Sequence, residues 1–196
     1  ELLPKAVKLY PHREAVVCGN VRMSYLEFGK RVWRLCRGLS ALGLCRKDRI
    51  AILHENCHIF LETYFAAAHL GLILVPLNFR LAAQELAVIL TDSGSKVLIA
   101  QEPFRDKAAP LLGTASNLEK IVWSHRAPET ALGANEYDYE ELILRQKDRP
   151  AADLTLEDIE VAHLYYTSGT TGRPKGVMLT HKNVKSHALG AIAELH

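Results

Sequence analysis

Between residues 166 and 177 the chain reads Tyr-Thr-Ser-Gly-Thr-Thr-Gly-Arg-Pro-Lys-Gly-Val, a run of hydroxyls and glycines ending in one lysine and following directly on the apolar stretch Ile159 to Tyr166. These residue types suit the phosphates of a nucleotide. Gly169, Gly172 and Gly176 allow positive φ and a close backbone approach, so that successive N–H groups can converge on anionic oxygens. Thr167, Ser168, Thr170 and Thr171 add short neutral donors. Lys175 supplies a full positive charge, and each charge-assisted hydrogen bond it makes to a phosphate is worth roughly 1.5–3 kcal/mol. Arg173 stands among them, either assisting or facing water. Ordinary surface loops have the same composition; the apolar lead-in and the closing lysine favour the phosphate reading.

The spacing departs from the better-known P-loop, which needs Gly-x-x-x-x-Gly-Lys-Ser/Thr. Here Pro174 precedes the lysine, Gly176 follows it, and no hydroxyl comes next to hold magnesium. No Gly-x-Gly-x-x-Gly dinucleotide fingerprint is present. A second constellation, His54-Glu55-Asn56-Cys57-His58, matches His-Glu-x-x-His, which in zinc peptidases sets two imidazoles on one helical face beside a glutamate base. Its context is wrong for that chemistry. His54 closes an apolar strand, Asn56 is placed to cap the following helix, and position 64 is Tyr64 where a third histidine would stand. No metal ligand is assigned. Of the remaining histidines, His163 falls in the strand before the loop and reads as a core residue, and His181 as a residue that caps or orients the helix after it. Trp33 and Trp123 read as packing residues, and Glu140, Glu141, Arg145 and Lys147 as a solvated helix face.

Tyr166 to Val177, extended by Met178-Leu179-Thr180-His181-Lys182-Asn183, closely resembles the phosphate-binding signature of the adenylate-forming superfamily: acyl-CoA synthetases, peptide-synthetase adenylation domains and beetle luciferases. Met23 to Phe28 resembles an early Tyr-x-Glu element of that family. Lys47-Asp48-Arg49-Ile50-Ala51-Ile52 resembles its Gly-Asp-Arg-Val-Ala-Ile strand, with Lys47 in place of the glycine, and Ala66 to Leu77 resembles the segment that ends in Val-Pro-Leu. The run Pro76-Leu77-Asn78-Phe79-Arg80-Leu81 leans toward acyl-CoA synthetases. The resemblance extends from about Pro11 to the end.

The resemblance implies ATP-dependent activation of a carboxylic acid to an acyl-adenylate, then transfer to a thiol such as CoA: an acid-thiol ligase. Thr167, Ser168, Gly169, Thr170, Thr171 and Lys175 match the family's ATP-binding positions one by one, and Gly172 joins them in the cofactor-binding set. The elements for adenine, ribose, magnesium and the adenylation lysine are expected beyond residue 196, as are the CoA and Mg2+ sites. No catalytic residue is therefore assigned here, and the 196 residues alone are expected to be inactive. A non-catalytic nucleotide-binding or interaction module that kept the loop is the alternative.

Bulk composition is permissive. Of the 196 residues 48% are hydrophobic and 23% charged, ordinary for one globular domain with a good core. A formal net charge of +2 without a basic block gives no reason for nucleic-acid binding. The longest uncharged stretch, Thr63 to Phe79, is too short to span a bilayer as one helix. Four cysteines without Cys-x-x-Cys pairing read as reduced core thiols of a cytoplasmic protein.

The elements alternate between strand and helix, predicting an α/β fold with a mostly parallel sheet, the N-terminal part of the large domain of an adenylate-forming enzyme. Strands are expected at Ala15 to Cys18, Val21 to Met23, Arg49 to Leu53, Leu72 to Pro76, Lys96 to Ala100, Lys120 to Trp123 and Val161 to Thr167. Helices are expected from Ser24, which with Glu27 forms a capping box, to Gly43; at Ile59 to Leu70, closed by Gly71; at Ala82 to Leu90; at Asp138 to Arg145; and from near Lys182. Ser124 to Asn135 reads as an exposed loop. A helix that stops at His196 after a few turns predicts an N-terminal portion of a longer protein. Apolar surface left open there would support self-association.

Overall fold

The structure, a computed structural model, describes residues 2–148, 155–167 and 174–195. Helix α1 (Leu2–Leu9) leads to the antiparallel hairpin β1 (Glu14–Cys18) and β2 (Val21–Ser24), turned at Gly19 and Asn20. Helix α2 (Tyr25–Ala41) starts at a complete capping box: the Ser24 hydroxyl accepts from the Glu27 N–H, and the Glu27 carboxylate accepts from the Ser24 N–H at 2.8 Å. Then come β3 (Arg49–Leu53), α3 (His58–Leu70), β4 (Ile73–Pro76), α4 (Ala83–Ser93), β5 (Ser95–Gln101), the short helices α5 (Arg105–Ala108) and α6 (Leu111–Thr114), β6 (Lys120–Ser124), β7 (Glu136–Asp138), α7 (Tyr139–Leu144), β8 (Val161–Thr167), β9 (Lys175–Thr180) and α8 (His181–Leu195).

Among the described residues seven strands form one sheet in the order β7-β6-β5-β3-β4-β8-β9, parallel throughout except for β9, which runs antiparallel to β8. Side chains alternate across a strand, and the sheet uses both faces. Ile50, Ile52, Leu74, Val97, Ile99 and Val122 pack against α2 and α3, together with Tyr139 and Ile143 of α7. Ala51, Leu53, Val75, Leu98, Ala100, Ile121 and Trp123 pack against Leu86, Ile89 and Leu90 of α4 and against α5 and α6. Central strands covered on both faces read as continuous apolar runs, which is why Arg49 to Leu53 coincides with its sequence expectation.

An ionic network that runs from buried Glu62 to exposed Glu140 ties α2, α3 and α7. Arg31 donates from Nε to Glu62 Oε1 at 2.6 Å and from Nη2 to Glu140 Oε1 at 2.6 Å, and the Tyr139 hydroxyl donates to Glu62 Oε2 at 2.6 Å. Glu62 has no exposed surface, and these donors satisfy its carboxylate oxygens. Glu140, Glu141, Arg145 and Lys147 are exposed, as the solvated-face reading expected; Glu140 reaches Arg31 from that face, and Glu141 meets Arg145 at 3.1 Å.

Some expectations are corrected. Cys57, not Asn56, is the N-cap of α3, and it makes no side-chain cap bond. All four cysteines are free, but only Cys36 is buried, its thiol pushed up to about 12 by burial; Cys45 is exposed. Ser124 closes β6 and is buried, while most of residues 125–135 lie at the surface. Lys47, standing where the family motif has glycine, adopts φ 71°, in the left-handed region that favours glycine.

Candidate functional site

Strand β8 runs parallel to β4, so its last residue, Thr167, lies at the carboxyl edge of the sheet, where open α/β sheets place ligands. The chain returns as β9, whose first residue, Lys175, is the register partner of Thr167. Both side chains are exposed. The fold thus brings the first hydroxyl and the lysine of the predicted set together at the mouth of one hairpin. Ser168, Gly169, Thr170, Thr171 and Gly172, with Arg173, lie outside the described residues.

Aromatic residues hold the hairpin. The hydroxyls of Tyr165 and Tyr64 meet at 2.6 Å, joining β8 to α3, and burial pushes the Tyr64 hydroxyl up. His163 stands edge-on to Tyr64 at 4.9 Å between ring centroids, and burial holds its imidazole down at about 4, neutral at physiological pH. This fits the core role read from the sequence. The Tyr166 hydroxyl donates to Asp92 Oδ2 on α4 at 2.5 Å, and burial first, then this carboxylate, raises its pKa.

At the far end of β9 a reciprocal cap starts α8. The Asn183 side-chain oxygen accepts from the Thr180 N–H at 2.9 Å, while the Asn183 N–H donates to Thr180 Oγ1 at 3.2 Å. Capping in the Thr-His-x-Asn run is therefore done by Thr180 and Asn183. His181 opens the helix and donates its backbone N–H to the Glu160 carbonyl at 2.9 Å. The Glu160 carboxylate accepts from Arg46 Nε at 3.0 Å, and this pairing pulls its pKa down to about 2.

The connection leaving β3 packs on one face and those leaving β5 on the other, so the chain diverges at the carboxyl ends of these two strands, the usual crevice of such sheets. Here His54 fills it, with 2% of its surface exposed. Its Nδ1 lies 2.7 Å from the Glu55 carbonyl, which only accepts, so the proton sits on Nδ1 and Nε2 accepts from Ser124 Oγ at 2.8 Å. Burial depresses this imidazole to about 4, with His125 and His58 adding to the effect.

His58 is the first residue of α3, so the two histidines of the His-Glu-x-x-His match do not share a helical face. Among the described residues no group of three His, Cys, Asp or Glu side chains is arranged to hold a metal, and no helix is long and apolar enough to cross a membrane. Apolar side chains do stand in solvent on β9 and α8: Met178 is 67% exposed and Leu189 61%. Sequence reasoning missed Tyr64, Asp92 and Tyr165 at this site. Tyr165 and Tyr166 sit directly before the loop, but their partners are 101 and 74 residues away.

Comparison with known proteins places the chain in a family. The model of the family described as AMP-binding enzyme matches residues 3–195. A feruloyl-CoA synthase of Amycolatopsis sp is 37% identical over 190 residues, covering 97% of this chain and 35% of that protein. The long-chain-fatty-acid–CoA ligase FadD13 of Mycobacterium tuberculosis is 38% identical over 172 residues, covering 86% of this chain and 32% of that one. Among solved structures, the N-terminal domain of FACL13 from Mycobacterium tuberculosis superposes with a TM-score of 0.79 at 30% identity, covering 94% of this chain and 44% of that one. The anthranilate CoA ligase AuaEII gives a TM-score of 0.85 over 92% of this chain and 34% of its own; at 23% identity it shows the fold alone. The chain spans about a third of the length of these relatives. A family model that matches nearly every residue, and relatives of this identity along the same stretch, establish that the chain belongs to the AMP-binding enzyme family of adenylate-forming proteins.

Proposed function

We propose that the complete protein activates a carboxylic acid with ATP and passes the acyl group to CoA. In the first step a carboxylate oxygen attacks the α-phosphorus, the bond to the β-phosphate bridge breaks, and pyrophosphate leaves. Pyrophosphate leaves poorly while its charge is uncompensated, so donors on the β- and γ-oxygens stabilise the transition state electrostatically. In this chain the Lys175 ammonium and the Thr167 hydroxyl supply such donors, with Ser168, Gly169, Thr170, Thr171 and Gly172 proposed to complete the grip. The observation that carries the reading is the register pairing of Thr167 with Lys175 at the carboxyl edge of the sheet.

Magnesium and CoA, which this chemistry uses, are proposed to bind residues of the complete protein outside these 196. Relatives whose names specify feruloyl, 4-hydroxybutyrate and long-chain fatty acyl substrates support a carboxylic acid as the substrate class. The chain by itself, spanning about a third of such proteins, is proposed to be inactive. The test is exchange of labelled pyrophosphate into ATP by the full-length protein against a panel of carboxylic acids. Exchange that depends on one class of acid supports the reading; none with any acid refutes it.

A further inference from the structure

We propose that Asp92 is a positioning residue for the phosphate grip: through Tyr166 it holds the root of the β8–β9 hairpin, and so the place from which Thr167 and Lys175 project. The inference rests on the function proposed above and extends it to a residue outside the loop. Tyr166 and Gly176 are register partners one step inside Thr167 and Lys175. The phenol lies across that pair. A Cβ built on Gly176 would stand 3.2 Å from Tyr166 Cζ and 3.3 Å from its Oη, with Leu164 Cδ1 at 2.9 Å. The missing side chain at Gly176 therefore makes room for the ring, and the ring covers the backbone directly after Lys175.

What fixes the ring is its hydroxyl, bonded to Asp92 Oδ2 at 2.5 Å. Asp92 lies on the last turn of α4, a helix anchored in the core by buried Leu86, Ile89 and Leu90 and closed by Gly94 in the left-handed conformation. A rigid element thus reaches across to an edge hairpin whose β9 side chains are largely exposed. Asp92 is itself exposed, so the bond adds little to global stability. Its effect falls on the orientation of Tyr166, because without a partner the hydroxyl no longer selects one ring position over another.

The test uses Asp92→Ala, Tyr166→Phe, the double variant and Asp92→Asn in the full-length protein, with Tm measured on each. KM for ATP in pyrophosphate exchange is expected to rise roughly 3- to 10-fold in each single variant, with kcat within about 2-fold and KM for the acid unchanged. The double variant is expected to be no worse than the worse single one, since both remove one bond. Asp92→Asn is expected to recover most of the loss, because its amide oxygen accepts the same hydroxyl. Unchanged KM for ATP, additive single effects, or an Asn variant no better than Ala would each overturn the proposal. Amide hydrogen exchange gives a readout independent of activity: Asp92→Ala should speed exchange near Thr167 and Lys175 and leave β3 unaltered, and equal protection in both proteins would also overturn it. Should the unmodified protein show no pyrophosphate exchange with any acid, the ligase reading falls, while amide exchange still decides whether Asp92 holds the hairpin.

Discussion

Strands β3 to β6 and the hairpin β8–β9 belong to one sheet but are built on opposite terms. In the first region both faces are covered by helices, and residues such as Ile52, Leu74, Leu98 and Trp123 have no exposed surface. In the second, β9 pairs on one side only among the described residues and exposes Val177 and Met178. The residues proposed to grip phosphate, Thr167 and Lys175, stand on the second. Apolar burial supplies rigidity where no ligand reaches, and the exposed hairpin takes its rigidity from point contacts instead: Tyr165 on Tyr64, Tyr166 on Asp92, and the Thr180–Asn183 cap. Substitutions in the two regions should therefore separate stability from function.

The sharpest contrast comes from two truncations of similar size. Leu74→Ala, at a fully buried site, is expected to cost about 2–5 kcal/mol in urea unfolding, whereas Met178→Ala, at a side chain 67% exposed, should stay within about 0.5 kcal/mol. Equal losses would erase the distinction. Next in size is Lys175→Ala in the complete protein, expected to slow pyrophosphate exchange by roughly 10- to 150-fold, the equivalent of about 1.5–3 kcal/mol, with Tm unmoved because the side chain is exposed.

Acid should act on the buried region. His54 and His163 titrate at about 4 in the folded chain against 6.5 ordinarily, so between those values the unfolded chain binds more protons and stability falls as pH drops. Their contribution is fully present above pH 6.5 and lost toward pH 4, about 1–2 kcal/mol for each histidine between pH 7 and 5. Unfolding free energies at pH 7, 6 and 5 check this, and His54→Gln should flatten the slope. The smallest effect is expected at Lys47, whose φ of 71° a glycine would relieve. Lys47→Gly should raise stability by about 0.5–1 kcal/mol, read as a higher urea midpoint at unchanged slope.

The same contrast explains what was legible beforehand. Arg49 to Leu53 could be read to the residue because a strand buried on both faces is apolar throughout, and α2 because Ser24, Glu27 and a helical apolar stripe agree. Strand β9 could not: Lys-Gly-Val-Met-Leu-Thr carries no two-residue alternation, and its first four residues are exposed. Strand β7, three residues long at the sheet edge, gave no signal, nor did the short helices around Pro110 and Gly113. The chemical types of the site were visible in the order of hydroxyls, glycines and lysine, since that order is itself the local chemistry. Asp92 was invisible, because a hydrogen bond spanning 74 residues leaves no mark on local pattern.

The most direct test of the phosphate grip is the structure of the complete protein with ATP bound. The triphosphate is expected between Thr167 and Lys175, with the lysine ammonium on β- or γ-phosphate oxygens. A triphosphate seated elsewhere, or Lys175 paired with an acid while nucleotide is bound, would contradict it.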